Sequence, residues 1–323
     1  MNNRKRRAKM AMLSMVILSF LIIMPFNLSF AKDFPTRPIN IVVPWAAGGE
    51  ADMASRVAAQ YISKFLGQPV IVLNKPGGAI AVGADYFLHQ PADGYNLFCA
   101  GATLGLAPKM QKMPFTLSDF TGLVQIQESK CVILVKKDAP WGNFKDFVND
   151  ALKRPGQIRY GVPGMANVQT LWWEYLKFQA GMNIVAVPYA GDANVIPALL
   201  KGDIHAGLHD TPLAIPHIKG GTMKALAISE RDEEFPGVAT FGEQGFKGNY
   251  GMWRALSVRK GTAESTYKIL ENACQKMLSE EGYANALKRM GSYPGKMTGS
   301  RFIQFVLEED KLYSQIIERM PKK

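Results

Sequence analysis

Cysteine is scarce in this chain. Cys99, Cys131 and Cys274 are the only three in 323 residues. His205, His209 and Asp210 carry a His-x3-His spacing, but residues 204–208 alternate apolar and polar like a strand, and no Cys/His/acid cluster completes a metal site. No metal and no cofactor is expected. An exported compartment would permit a Cys99–Cys131 disulfide, since both lie in strand-like runs; the alternative is that all three are small buried hydrophobes. No block of Lys and Arg mixed with aromatics is present, so nucleic acid is not an expected partner. Gly77, Gly78 and Gly83 lack the spacing of a dinucleotide loop, and no Walker lysine follows them. Neither a Ser/His/Asp, a Cys/His nor a paired-carboxylate arrangement emerges, which argues against an enzyme. Low-complexity tracts and short repeats are absent too. After the N-terminal run no stretch is apolar enough to span a bilayer.

That N-terminal run is the first positive feature. Arg4, Lys5, Arg6, Arg7 and Lys9 precede an apolar stretch over residues 10–26, and Ser29 and Ala31 supply small residues for cleavage. The pattern is that of a secretory signal peptide over residues 1–31, with an uncleaved membrane anchor as the rival. No cysteine follows the run to carry a lipid. The expected mature chain holds 33 Lys and Arg against 27 Asp and Glu, a charge of +6 rather than the +11 of the whole. This modest surplus mildly favours anionic ligands.

About 290 residues suffice for one large two-lobed domain or two domains. Aliphatic runs, glycine loops and helical segments alternate, which argues α/β. Residues 39–43 read as a buried strand, 44–50 as a small-residue loop, and 51–66 as a helix with Val57, Tyr61 and Phe65 on its buried face and Gly67 as its C-cap. Free N–H groups at such a helix start make a seat for a carboxylate or phosphate without a charged side chain. A second strand–loop–helix of the same kind covers residues 158–180. Residues 101–105 form a loop after the strand 96–100, and 131–135 an isolated apolar strand. Ligands bind beyond the carboxyl ends of strands in open α/β sheets. Two such ends, one per lobe, would face each other across a cleft.

Several segments occur together in a fixed order: Phe34-Pro35-Thr36-Arg37-Pro38-Ile39, Leu66-Gly67-Gln68-Pro69-Val70, Asn74-Lys75-Pro76-Gly77-Gly78, Pro91-Ala92-Asp93-Gly94-Tyr95, Val187-Pro188-Tyr189-Ala190-Gly191, Leu226-Ala227-Ile228-Ser229 and Gly242-Glu243-Gln244-Gly245-Phe246. In this order and spacing the mature chain resembles the periplasmic solute receptors of tripartite tricarboxylate transporters, the Bug family. The resemblance implies a Venus-flytrap fold, type II-like, with two α/β lobes closing over a small organic carboxylate. The lobes are expected at residues 32–130, 131–224 and, as a return to the first, 225–323. It further implies a periplasmic monomer that delivers its ligand to a permease of one large and one small membrane subunit. A receptor that signals to a membrane sensor kinase is the alternative, and an enzyme acting on a small acid the third reading.

The resemblance implies a ligand held by backbone amides, hydroxyls and water, and it places the contacts. Trp45, Ala47, Gly48, Gly49 and Asp52 match the first ligand loop, with Trp45 as a wall and Asp52 either in the site or stabilising its own helix. Thr103 would offer a hydroxyl from the first lobe. Gly164, Asn167 and Thr170 form the second seat, which departs from the family at Ala166, Asn167 and Thr170. Tyr189 would wall the pocket or donate its phenol; Asp192 would accept from the ligand or cap the next helix; His209 or Asp210 would line the cleft at a strand end. Glu50 also departs from the family's small or hydroxylic residue: it either points to solvent, or the ligand carries an amine, a hydroxyl or a single carboxylate there. Arg254 is either a carboxylate partner or one half of a surface ion pair.

Overall fold

The computed structural model describes residues 34–248 and 251–319; the expected signal peptide, residues 1–31, lies outside them. Two sheets carry the architecture. The first contains β1 (Ile39–Val43), β2 (Val70–Asn74), β3 (Asn96–Ala100), β4 (Phe120–Ser129), β10 (Met252–Arg259) and β11 (Tyr293–Pro294), in the order β11-β4-β10-β3-β1-β2. β1 runs parallel to β2 and β3, while β10 lies antiparallel between β3 and β4. The second contains β5 (Cys131–Lys136), β6 (Arg159–Val162), β7 (Val185–Pro188), β8 (Ala206–Asp210) and β9 (Met223–Ile228), in the order β7-β6-β8-β5-β9.

Helices cover both faces. They are α1 (Glu50–Leu66), α2 (Ala81–Leu88), α3 (Thr103–Met110), α4 (Phe144–Lys153), α5 (Val168–Ala180), α6 (Asp192–Lys201), α7 (Thr211–Lys219), α8 (Glu264–Leu278), α9 (Glu281–Arg289) and α10 (Gly299–Arg319). Strands buried on both faces read as near-continuous apolar runs, as β1 and β3 do. One core under α1, α8 and α9 backs the first sheet, and a second under α6 and α7 backs the other. The third is continuous between the lobes and includes Trp172 of α5, whose ring meets Tyr313 of α10 edge-on at 6.0 Å. The C-terminal helix therefore braces one lobe against the other.

The chain passes between sheets at Lys130, the single residue separating β4 from β5, and again between β9 and β10. The two crossings are tied together. Lys130 Nζ lies 3.0 Å from Asp232 Oδ2 and donates to the Arg231 carbonyl at 2.6 Å, and Tyr293 OH donates to Asp232 at 3.0 Å. The first crossing is one residue long and the second is the segment 229–251, and two crossings between lobes allow hinge closure.

Several expectations change. The boundary at 225 falls inside β9, which belongs to the second sheet, so the chain re-enters the first sheet with β10. The apolar strand expected at 131–135 is β5, and it lies between β8 and β9 in the second sheet. Residues 101–105 do not remain a loop: Leu104 N–H donates to the Gly101 carbonyl and α3 begins at Thr103. On α1 the buried stripe is Ala51, Ala54, Ala58 and Ile62, while Val57, Tyr61 and Phe65 are only partly buried. Small side chains let this helix lie close to the sheet, and the bulky ones pack along its margin. Gly67 does cap α1, at φ 65°, with its N–H on the Ser63 carbonyl. Cys99 and Cys131 sit in different sheets, and all three cysteines are free and buried. Burial pushes the Cys99 thiol up to about 11, so it is a packed hydrophobe rather than a nucleophile.

Candidate functional site

A cleft of about 280 Å³ opens at the carboxyl ends of strands from both sheets. Its first wall is Pro44, Trp45 and the start of α1; the opposite wall is Gly164, Asn167, Tyr189 and Asp192. Three helices point their N-termini at this space: α1 through Gly49, Glu50 and Ala51, α5 through Asn167 and Gln169, and α6 through Gly191, Asp192 and Asn194. The first-turn amides of a helix have no acceptor within it, and the dipole makes that end positive. The cleft thus presents oriented donors from both lobes.

The first loop is braced from beneath. Asp52 Oδ2 accepts from the Gly48 amide at 2.9 Å and from Arg56 Nε at 3.0 Å; Asp52 Oδ1 accepts from Asn74 Nδ2 at 2.9 Å, and Asn74 also donates to the Trp45 carbonyl. Burial pushes the Asp52 carboxyl up, but the hydrogen bonds from Arg56, Gly48 and Asn74 outweigh it and hold the group below the usual carboxylate range. The structure therefore places Asp52 behind the loop. Ala47 and Gly48 form the exposed loop tip, and the Gly48 amide is engaged by Asp52. Of the first-loop residues expected in the site, Trp45 and Gly49 line the cleft, as does Thr103 at the start of α3.

In the second seat Asn167 is the N-cap of α5. Its Oδ1 accepts from the Gln169 amide at 3.0 Å, which leaves its Nδ2 donors for a ligand. Thr170 Oγ1 donates to the Gly164 carbonyl at 2.7 Å and fixes the turn, where Gly164 adopts φ 102°. Asp192 is held by Gln169 Nε2 at 3.1 Å and by His209 Nδ1 at 2.8 Å. His209 is fully buried on β8 and does not line the cleft; it positions Asp192. Gly207 makes room for the imidazole, since a Cβ there would sit 2.3 Å from His209 Nε2. Asp192→Ala would leave His209 buried without its partner, costing about 1–3 kcal/mol. The expected outcome, read by thermal melting, is a Tm lower by roughly 2–10 °C. An unchanged Tm would show that the pair contributes nothing.

Glu50 does not point to solvent. It is 4% exposed, and its Oε2 lies 2.7 Å from Arg254 Nη2. The same Nη2 donates to Asp210 Oδ2 at 3.3 Å, and Arg254 Nη1 donates to the Trp253 carbonyl at 2.9 Å. Asp210 is 1% exposed at the end of β8. Burial, then the charge of Glu50, pushes the Asp210 carboxyl well above its usual range, against the pull of Arg254. Arg254 is not on the surface either: its side chain is 13% exposed, and its guanidinium carbon lies 5.2 Å from the Trp45 ring centroid. Glu50 and Arg254 come from the first lobe and Asp210 from the second, so this buried triad floors the cleft and joins the lobes.

Sequence reasoning missed the loop before α2. Gly77, Gly78, Ala79 and Ile80 line the cleft, and Ala79 and Ile80 adopt φ 50° and 74°. A positive φ is a rare conformation for a β-branched residue and is held here by surrounding structure. Only the paired glycines hinted at an irregular turn. Among the described residues no cluster of His, Cys, Asp and Glu could hold a metal ion, and no helix is long and apolar enough to cross a membrane.

A cleft between two α/β lobes, with helix N-termini converging on it, is the architecture of a solute-binding protein, and the family and its structural neighbours are periplasmic binding proteins rather than enzymes. The family described as the tripartite tricarboxylate transporter family receptor matches residues 54–321, and the chain belongs to that family. A UPF0065 protein of Bordetella pertussis is 29% identical over 310 residues, covering 94% of this chain and 96% of that protein. Among solved structures, R. palustris Rpa4515 with adipate is 25% identical with a TM-score of 0.83, covering 89% of this chain and 98% of the other. The periplasmic binding protein BugD is also 25% identical, with a TM-score of 0.81 and coverage of 88% and 98%.

Proposed function

We propose that this receptor binds one small organic carboxylate in the cleft and delivers it to a tripartite tricarboxylate-type permease with one large and one small membrane subunit. The observation that carries the reading is the convergence of the α1, α5 and α6 N-termini on one cavity of about 280 Å³. The carboxylate would take backbone amides of the Gly49 turn on one side and Asn167 Nδ2 on the other, with Thr103 adding a hydroxyl. Trp45 and Tyr189 would wall the apolar part of the ligand. Closure about the Lys130 and β9–β10 crossings would bury it, and the closed form would dock on the permease. Residues 1–31 would be removed on export, leaving a periplasmic monomer. The carboxylate in the Rpa4515 structure supports this ligand class.

The test is a thermal-shift screen of residues 32–323 against mono-, di- and tricarboxylates, aromatic acids and amino acids. A ligand present at a hundred times its Kd stabilises by about 2.7 kcal/mol, which is a shift of several degrees. Asn167→Ala should weaken the best ligand about tenfold, since one good hydrogen bond to a charged group is at stake. No shift with any acid would defeat the proposal. Uptake of the identified acid should be lost on deleting the gene; retained uptake would remove the delivery step while leaving the binding step intact.

A further inference from the structure

Among the described residues that line the cleft, Arg254 is the one cation. Its guanidinium holds Glu50 at 2.7 Å and Asp210 at 3.3 Å and also donates to the Trp253 carbonyl. Nη1 and Nη2 are thus engaged within the protein, and only the buried Nε–H has no partner. Three carboxyls, those of Glu50, Asp192 and Asp210, line the same cavity. Glu50 Oε1 and Asp210 Oδ1 are buried and accept no hydrogen bond, although both residues are cleft-lining. Buried acceptors of this kind call for a donor.

The geometry points to a zwitterionic ligand: a carboxylate at the helix N-termini and an ammonium on the floor made by Glu50 and Asp210. This deepens the carboxylate-receptor reading and rests on it. A second carboxylate at the floor would face the like charge of Glu50 in a site shielded from solvent, where both Arg254 Nη groups are already engaged. An ammonium would displace the proton that Asp210 holds beside Glu50, releasing it to solvent, and would supply N–H donors to both carboxyls. Because Glu50 and Arg254 belong to the first lobe and Asp210 to the second, an ammonium between the carboxyls would also draw the lobes together.

Calorimetric titration of residues 32–323 with matched series tests this. At each chain length from three to six carbons, the ω-amino acid is compared with the dicarboxylate and with the plain monocarboxylate; the α-amino acids are titrated alongside. The expected result is that an amino acid binds at least tenfold more tightly than its dicarboxylate and monocarboxylate counterparts. Glu50→Gln and Asp210→Asn should each weaken that amino acid by about 10- to 100-fold, while the matched monocarboxylate is unchanged or tighter. That split separates a contact with the ammonium from a general loss of structure, which would weaken both; melting curves confirm that the variants fold. A dicarboxylate or monocarboxylate that binds as tightly as every amino acid overturns the inference and leaves the carboxylate receptor standing. Binding by no acid of any kind overturns both.

Discussion

Arg254→Met should lower the melting temperature by about 6–20 °C. Removing one member of a buried ion pair typically costs about 3–5 kcal/mol, because the partner charges stay buried; in a domain of this size each kcal/mol is worth roughly 2–4 °C. Two carboxyls, Glu50 at 4% exposure and Asp210 at 1%, would lose their shared guanidinium. The loss should depend on pH, and its direction follows from the Asp210 carboxyl. Burial and the charge of Glu50 already raise it well above 3.8 in the folded protein. The folded state thus holds a proton that the unfolded state has released. The stability this proton confers is full below the unfolded pKa and falls as pH rises through the folded one. Without Arg254 the folded value rises further, so the deficit of the variant should be larger at about pH 8 than at about pH 5. Melts of both proteins at the two pH values decide the matter. A deficit that shrinks as pH rises, or no deficit at all, would show that the triad is not held as described.

Trp173→Ala should cost about 3–5 kcal/mol, the range for deleting a large buried aromatic. Trp173 is fully buried under α5 and packs on Tyr160 at 4.7 Å, Phe147 at 6.0 Å and Phe144 at 6.5 Å between ring centroids. Phe144 and Phe147 belong to α4 and Tyr160 to β6, so one ring joins two helices to a strand. The cavity would be hard to collapse, because its walls are themselves large rings. The same helix carries Asn167 at its N-cap, so the variant should also bind ligand more weakly, by a smaller factor than Asn167→Ala. Urea unfolding followed by circular dichroism measures the first effect. A loss below about 1 kcal/mol would mean that the second lobe tolerates the cavity far better than typical cores do.

Local chemistry made much of the fold legible. Gly67 had to end α1, and Asn167 begins α5 as a polar N-cap. The 39–43 run followed by small residues marked the first wall of the cleft. Other features depended on partners far away in the chain. The buried face of α1 follows its alanines because the sheet comes close; the larger side chains would have suggested the opposite face. Nothing near residue 252 indicates that β10 inserts between β3 and β4. Nor does any local pattern warn that Ala79 and Ile80 take positive φ.

Glu50 shows the division most clearly. As a lone acid in an anion-binding loop it had two opposite readings, and local sequence offered no way to choose. Arg254 and Asp210 lie far along the chain from it and from each other, and only the folding of two sheets against one cleft brings the three together. The sequence by itself determined the α/β elements, the helix-start loops and the family, because capping, periodicity and turn chemistry act over a few residues. The tertiary structure alone decided which charges meet, because a buried carboxylate is defined by the desolvation and the counter-charge that distant residues impose on it.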